Sequence, residues 1–166
     1  MKFNLIDRVE ELSHTRILCV KQVSLAEEYL ADHFPTFPVL PGVMMLEAAT
    51  QAAGWLLHHR TDFACSLSVL KEARNVKYGQ FVAPGDELRI EVEIIKPLET
   101  GGVFKVVGTV GARQSISARL ELAYFNLASR DAKLADTDVK LQAHNRLRWA
   151  LLALSLERHD NLQKLG

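Results

Sequence analysis

The chain has 166 residues, of which 48% are hydrophobic and 24% charged, and its 20 Lys+Arg balance 20 Asp+Glu. That length suits one domain of ~100–200 residues with a proper core. A formal charge of zero argues against a general nucleic-acid binder, which needs a basic excess or a basic face. No stretch approaches the ~18 uninterrupted apolar residues of a membrane span. The opening Met1-Lys2-Phe3-Asn4-Leu5-Ile6-Asp7-Arg8 meets charge before an apolar segment develops, so no secretory signal is expected and the cytoplasm is the default compartment. Cys19 and Cys65 lie far apart without metal-type spacing and read as reduced thiols used as small apolar residues.

In chain order, residues 16–23 (Arg-Ile-Leu-Cys-Val-Lys-Gln-Val) are β-branched and apolar enough for a strand. Ser24-Leu25-Ala26-Glu27 matches a capping box and predicts a short helix to about Ala31. The first third as a whole reads as helical and proline-rich. From Val43 to Leu57 the sequence is rich in Ala, Leu and Met without a proline, which predicts a helix of roughly 22 Å. Apolar residues cover nearly every face, so this helix is buried, with Glu47 its one charge. His58-His59-Arg60 reads as its exit to solvent.

Strands follow. Leu88, Ile90, Val92 and Ile94 alternate with charged residues, a period of two. Pro97 and Gly101-Gly102 separate this run from Val103–Val110, and a short turn leads to Ile116, Ala118, Leu120, Leu122 and Tyr124. Residues 66–78 supply another strand. Short connections require antiparallel neighbours. The expectation is an α+β domain in which an antiparallel β-sheet largely encloses one apolar helix. From Asp136 onward the tail reads as an amphipathic helix covering a sheet edge or another subunit.

The chemistry concentrates between His33 and Gln51. Three of the five prolines fall here, Pro35, Pro38 and Pro41, and predict a stiff extended loop leading into the helix. A PxxP ligand is the competing reading, but Phe34, Phe37, Val39 and Leu40 call for burial. The first N–H groups of a helix lack intrahelical partners and lie at the positive end of its dipole. At Gly42 and Val43 such donors could receive a carbonyl oxygen that gains charge, or simply water. Burial disfavours an ionised carboxylate, so Glu47 is either neutral and able to donate or paired with an arginine. Gln51, four residues on, shares its face. His33 alone would more often be structural. The other histidines show no metal-type spacing.

Taken together, His33-Phe34-Pro35-Thr36-Phe37-Pro38-Val39-Leu40-Pro41-Gly42-Val43 through Glu47-Ala48 to Gln51 resembles the active-site signature of FabZ-type β-hydroxyacyl-acyl-carrier-protein dehydratases, H-F-P-x-x-P-[VI]-x-P-G-V-x-x-x-E-A-x-x-Q. Phe3–Val9, Asn75-Val76-Lys77-Tyr78 and Phe81–Leu88 are similar to further segments of that family. Departures are Asp32 and Thr36, where glycine is usual, missing arginines near Gly79-Gln80, and a truncated L-P-H-R-Y-P opening.

The resemblance implies a hot-dog fold over residues 1–128, with residues 129–166 as a helical extension packed on the same domain or on its partner. It implies elimination of water from a 3-hydroxyacyl thioester on acyl carrier protein, with His33 and Glu47 catalytic and the Gly42 and Val43 amides on the thioester carbonyl. Gln51 would orient Glu47, and Phe34, Phe37, Pro41 and Met44 would line the acyl tunnel. It further implies no cofactor, no metal, no nucleic acid, and a homodimer or a trimer of dimers in which His33 of one subunit faces Glu47 of the other. Aspartate is usual at the Glu47 position in dehydratase–isomerases. A hot-dog thioesterase and a non-catalytic acyl-binding subunit are the remaining alternatives.

Overall fold

The computed structural model describes residues 3–34 and 36–156. In chain order it comprises β1 (Arg8–Leu12), β2 (Arg16–Gln22), α1 (Tyr29–Asp32), α2 (Gly42–Arg60), β3 (Leu67–Tyr78), β4 (Glu87–Leu98), β5 (Gly101–Val110), β6 (Arg113–Phe125) and α3 (Ala135–Leu152), with two short 3-10 turns before α3. The strands form one six-stranded sheet in the order β1-β2-β4-β5-β6-β3, every pair antiparallel. β1 and β3 are its edges.

The sheet curls around α2. Ala48, Ala49, Ala52 and Ala53 are fully buried along that helix, and their small side chains let the sheet approach closely. Against them pack Leu88, Ile90 and Val92 from β4, Phe104 and Val106 from β5, and Ile116, Leu120 and Leu122 from β6. The period-two pattern along these strands therefore maps onto the core face, as the sequence predicts.

Four local readings are corrected. β1 is a strand that the charged stretch Arg8-Val9-Glu10-Glu11-Leu12 did not announce; only Val9 of it is fully buried. The Ser24–Glu27 bonds form, with Glu27 Oε1 accepting the Ser24 N–H at 3.2 Å and Ser24 Oγ the Ala26 N–H at 3.1 Å, but they close a turn, and the helix starts only at Tyr29. β4 runs through Pro97, because a register shift after Ile94 leaves the proline near the hairpin end, opposite Gly102. The His58-His59-Arg60 run does form the last turn of α2, as read, but His58 itself is buried at 6% exposure instead of meeting solvent.

α3 is clasped to the body near its N-terminus. Asp138 is buried, and its carboxylate accepts from Ser66 Oγ, from the Leu127 N–H at 2.8 Å and from the Ala128 N–H at 2.8 Å. Burial alone would raise the pKa of this carboxyl; the three donors outweigh it and hold the group below its ordinary value. Farther along, Arg146 pairs with Asp62 at 2.9 Å, and the Trp149 ring lies 6.0 Å from that of Trp55. Cys19 is buried in the core and Cys65 half-buried, and burial pushes both thiols up. Among the described residues no helix is long and apolar enough to cross a membrane.

Candidate active site

α1 ends at Asp32, and His33 caps it: its N–H donates to Tyr29 O at 3.1 Å, while its backbone turns extended. The half-buried imidazole packs against the Phe34 ring at 4.5 Å. Phe34 holds a positive φ of 53°, uncommon for an aromatic residue, and its carbonyl accepts the Phe37 N–H at 2.7 Å. The loop thus opens with a tight turn instead of the uniformly extended course predicted. It then straightens, and the Leu40 N–H donates to Val82 O at 2.8 Å, fastening the loop to the segment between β3 and β4.

Pro41, extended at φ −56° and ψ 141°, delivers the chain into α2. Its carbonyl accepts the N–H groups of Met44 and Met45, and no acceptor among the described residues takes those of Gly42 and Val43. Gly42 has a specific reason to lack a side chain, since a Cβ there would stand 3.0 Å from Cε1 of Tyr78. Val43 is 70% exposed, so the free amides open to the surface.

Glu47 is half-buried on this chain, less enclosed than predicted. Among the described residues it forms no ion pair; Gln51 Nε2 donates to its Oε1 at 2.9 Å. Gln51 is itself anchored, donating to Phe3 O at 3.1 Å and accepting the Leu5 N–H at 2.9 Å. No hydrogen bond joins His33 to Glu47 within the protomer. The structure therefore unites Glu47 with Gln51 and Gly42 with Val43, and leaves His33 apart from both pairs.

Of the four loop residues read as calling for burial, Val39 and Leu40 are buried, whereas Phe34 and Phe37, also assigned to the acyl tunnel, are 58% and 57% exposed. Phe37 meets Phe81 edge to face at 5.7 Å. Phe81 and Tyr78 are exposed too, so the helix start is ringed by uncovered apolar surface. Pro41 and Met44 face the core. A cleft of about 260 Å³ runs instead from Gln51 past Gly54, Trp55 and His58. Sequence reasoning missed these three, although they continue the Glu47–Gln51 face at helical spacing. Among the described residues no cluster of three His, Cys, Asp or Glu side chains could hold a metal ion.

An antiparallel sheet wrapped around one long helix, with a proline-gated helix start, is the hot-dog fold. The sequence profile of the FabA-like domain matches residues 1–118, and the chain belongs to that family. It is 40% identical over 123 residues to a 3-hydroxyacyl-[acyl-carrier-protein] dehydratase FabZ of Solibacter usitatus, covering 71% of this chain and 76% of the relative. A Levilactobacillus brevis protein of the same name is 35% identical over 130 residues, 78% of this chain and 86% of its own. Among solved structures, the dehydratase heterocomplex ApeI:P from Xenorhabdus doucetiae superposes with a TM-score of 0.66 at 21% identity, over 80% of this chain and 90% of that one, a likeness of fold.

Proposed function

We propose that this protein is a 3-hydroxyacyl-acyl-carrier-protein dehydratase, a hydro-lyase that converts the 3-hydroxyacyl thioester to its trans-2-enoyl product in the cytoplasm, in fatty acid or related lipid biosynthesis. The observation that carries the reading is the Glu47–Gln51 pair on α2, close behind a helix start whose Gly42 and Val43 amides have no acceptor among the described residues. His33 acts as base, an imidazole being suited to proton transfer near neutral pH. It takes the proton from C2, and the developing enolate oxygen lies on the two amides. The electron pair returns to form the C2–C3 double bond as the C3–O bond breaks, and Glu47 supplies the proton that makes the departing hydroxyl water. Gln51 holds Glu47 in place for that transfer.

The functional unit is a homodimer, alone or within a trimer of dimers, in which His33 of one subunit completes the site of Glu47 in the other. Two features support it: the apolar ring around the helix start, and the twelve-residue edge strand β3, where Val69, Leu70 and Tyr78 stay exposed. Residues 1–128 are assigned to the dehydratase domain and residues 129–166 to an extension on the same domain or its partner; the Asp138 bonds of α3 support packing on the same domain. The substrate arrives on acyl carrier protein.

The test is hydration of an enoyl thioester, on carrier protein and on coenzyme A, by wild type and by His33→Ala. Loss of at least ~100-fold on substitution is expected; equal rates would remove His33 from the mechanism. Mixing His33→Ala with Glu47→Ala chains should restore part of the activity through hybrid sites. No recovery in verified mixed dimers would refute the shared site.

A further inference from the structure

The cleft that begins beside Gln51 is walled in part by two polar side chains, each with an atom that has no hydrogen-bond partner among the described residues. His58 is the first. It is buried at 6% exposure, and its ring forms part of the cleft wall. Its Nδ1 lies 3.2 Å from Tyr124 Oη. That phenol also receives the Cys65 N–H at 3.1 Å and stands 2.9 Å from Thr61 Oγ1. Thr61 Oγ1 in turn lies 2.9 Å from Leu57 O, a carbonyl that can only accept.

Nδ1 shares a hydrogen bond with Tyr124 Oη, and the direction of that bond sets which ring nitrogen carries the proton. Burial lowers the pKa of this histidine to about 4, so the ring is neutral at pH 7. Among the described residues Nε2 has no hydrogen-bond partner.

Asn145 of α3 is the second group. Its Nδ2 donates to Ser66 O at 3.0 Å, which orients the amide, and no donor among the described residues meets its Oδ1. The cleft therefore joins an unpartnered ring nitrogen and an unpartnered amide oxygen, with Ser68 in the same wall. A plain alkyl end would leave them unpaired; a hydroxyl, which both donates and accepts, can satisfy them.

We propose that this cleft seats the far end of the acyl chain and that His58 and Asn145 recognise a hydroxyl carried there. The proposal rests on the dehydratase reading, because Glu47 fixes the reacting carbons at the other end. Glu47 and His58 are three helical turns apart, about 16 Å. At the ~1.2 Å per bond of an extended chain, that span is roughly thirteen bonds. The wall that Asn145 provides comes from α3, outside residues 1–118 matched by the family profile, so it belongs to this chain's own extension.

The test compares two 3-hydroxyacyl thioesters of about fourteen carbons, one ending in methyl and one in a terminal hydroxyl. Wild type should favour the hydroxylated chain by about tenfold in kcat/KM. In Asn145→Leu and in His58→Phe that ratio should fall toward one. Should His58→Phe fail to fold, the half-buried Asn145 carries the test alone. A parallel readout is the intrinsic fluorescence of Trp55, titrated with terminally hydroxylated and plain fatty acids of the same length. Turnover of both thioesters without preference overturns this proposal and leaves the dehydratase intact. Preference that survives both substitutions overturns it too. No turnover of either, with selective binding of the hydroxylated acid, overturns the dehydratase and upholds the recognition.

Discussion

Gln51 spends its whole amide on two tasks at once. Its Nε2 donates to Glu47 Oε1 at 2.9 Å and to Phe3 O at 3.1 Å, while its Oε1 accepts the Leu5 N–H at 2.9 Å. The residue therefore locks the N-terminal segment against α2 and sets the rotamer of Glu47. Gln51→Leu should lower kcat by about 10- to 100-fold with little change in KM, because misplacement of a reacting group acts on the transition state. It should also destabilise the fold by about 1–2 kcal/mol, from the lost and stranded bonds at Phe3 and Leu5. Steady-state kinetics and thermal denaturation separate the two effects. A destabilised variant with unchanged kcat would leave Gln51 a purely structural residue.

His58 couples stability to pH. Its pKa is lowered to about 4 by burial, against 6.5 when solvated. Between those values the unfolded chain binds more protons than the folded one, so stability falls as pH drops from 6.5 toward 4 and levels off below. The loss amounts to at most about 3 kcal/mol at 1.36 kcal/mol per pKa unit. Denaturant melts across this window check it, and His58→Phe should flatten the dependence. An equal slope in that variant would assign the effect to other groups.

The Asp138 clasp should decide whether α3 stays on the body. Asp138→Ala strands Ser66 Oγ and the amides of Leu127 and Ala128. Amide exchange along α3 is expected to rise sharply while β4, β5 and β6 remain protected, and the melting temperature should fall. Unchanged exchange in α3 would mean that the Trp149 and Arg146 contacts suffice.

Gly101 occupies a conformation open to few other residues. Its φ is +149°, and a Cβ there would stand 1.9 Å from Leu122 O, a backbone atom of β6. Gly101→Ala should therefore cost about 1–3 kcal/mol by combining backbone strain with a displaced ladder. Chemical denaturation measures it. Full stability would show that the β4–β5 hairpin can reseat at no penalty.

The sheet and the buried helix were legible because each carries one clean period. Leu88, Ile90, Val92 and Ile94 alternate, and α2 is apolar on nearly every side. β1 was not legible, because an edge strand buries little and its charges answer to neighbours distant in sequence: Arg8 pairs with Glu87, and Glu10 with Arg89. His58 misled for a related reason. A histidine near a run of basic residues looks solvated, and its buried ring partners, Phe63 and Tyr124, lie beyond the helix in sequence. Glu47, Gln51, Gly42 and Val43 stood out by spacing within one helix. His33 and Glu47 share no hydrogen bond within the protomer, so no local pattern could show how the two sides of the proposed site would meet.

The strand order has a consequence for how the protein is made. Among the described residues β3 pairs with no strand of the protomer except β6, and β2 lies between β1 and β4. On the ribosome, α2 and β3 emerge while the strands that must cover them are still unsynthesised. Until β6 appears, the nascent chain carries an uncovered greasy helix and an open ladder, the state in which cotranslational aggregation competes with closure. Chaperone capture during translation should therefore peak between the emergence of α2 and that of β6, and relax once the last strand has threaded into place.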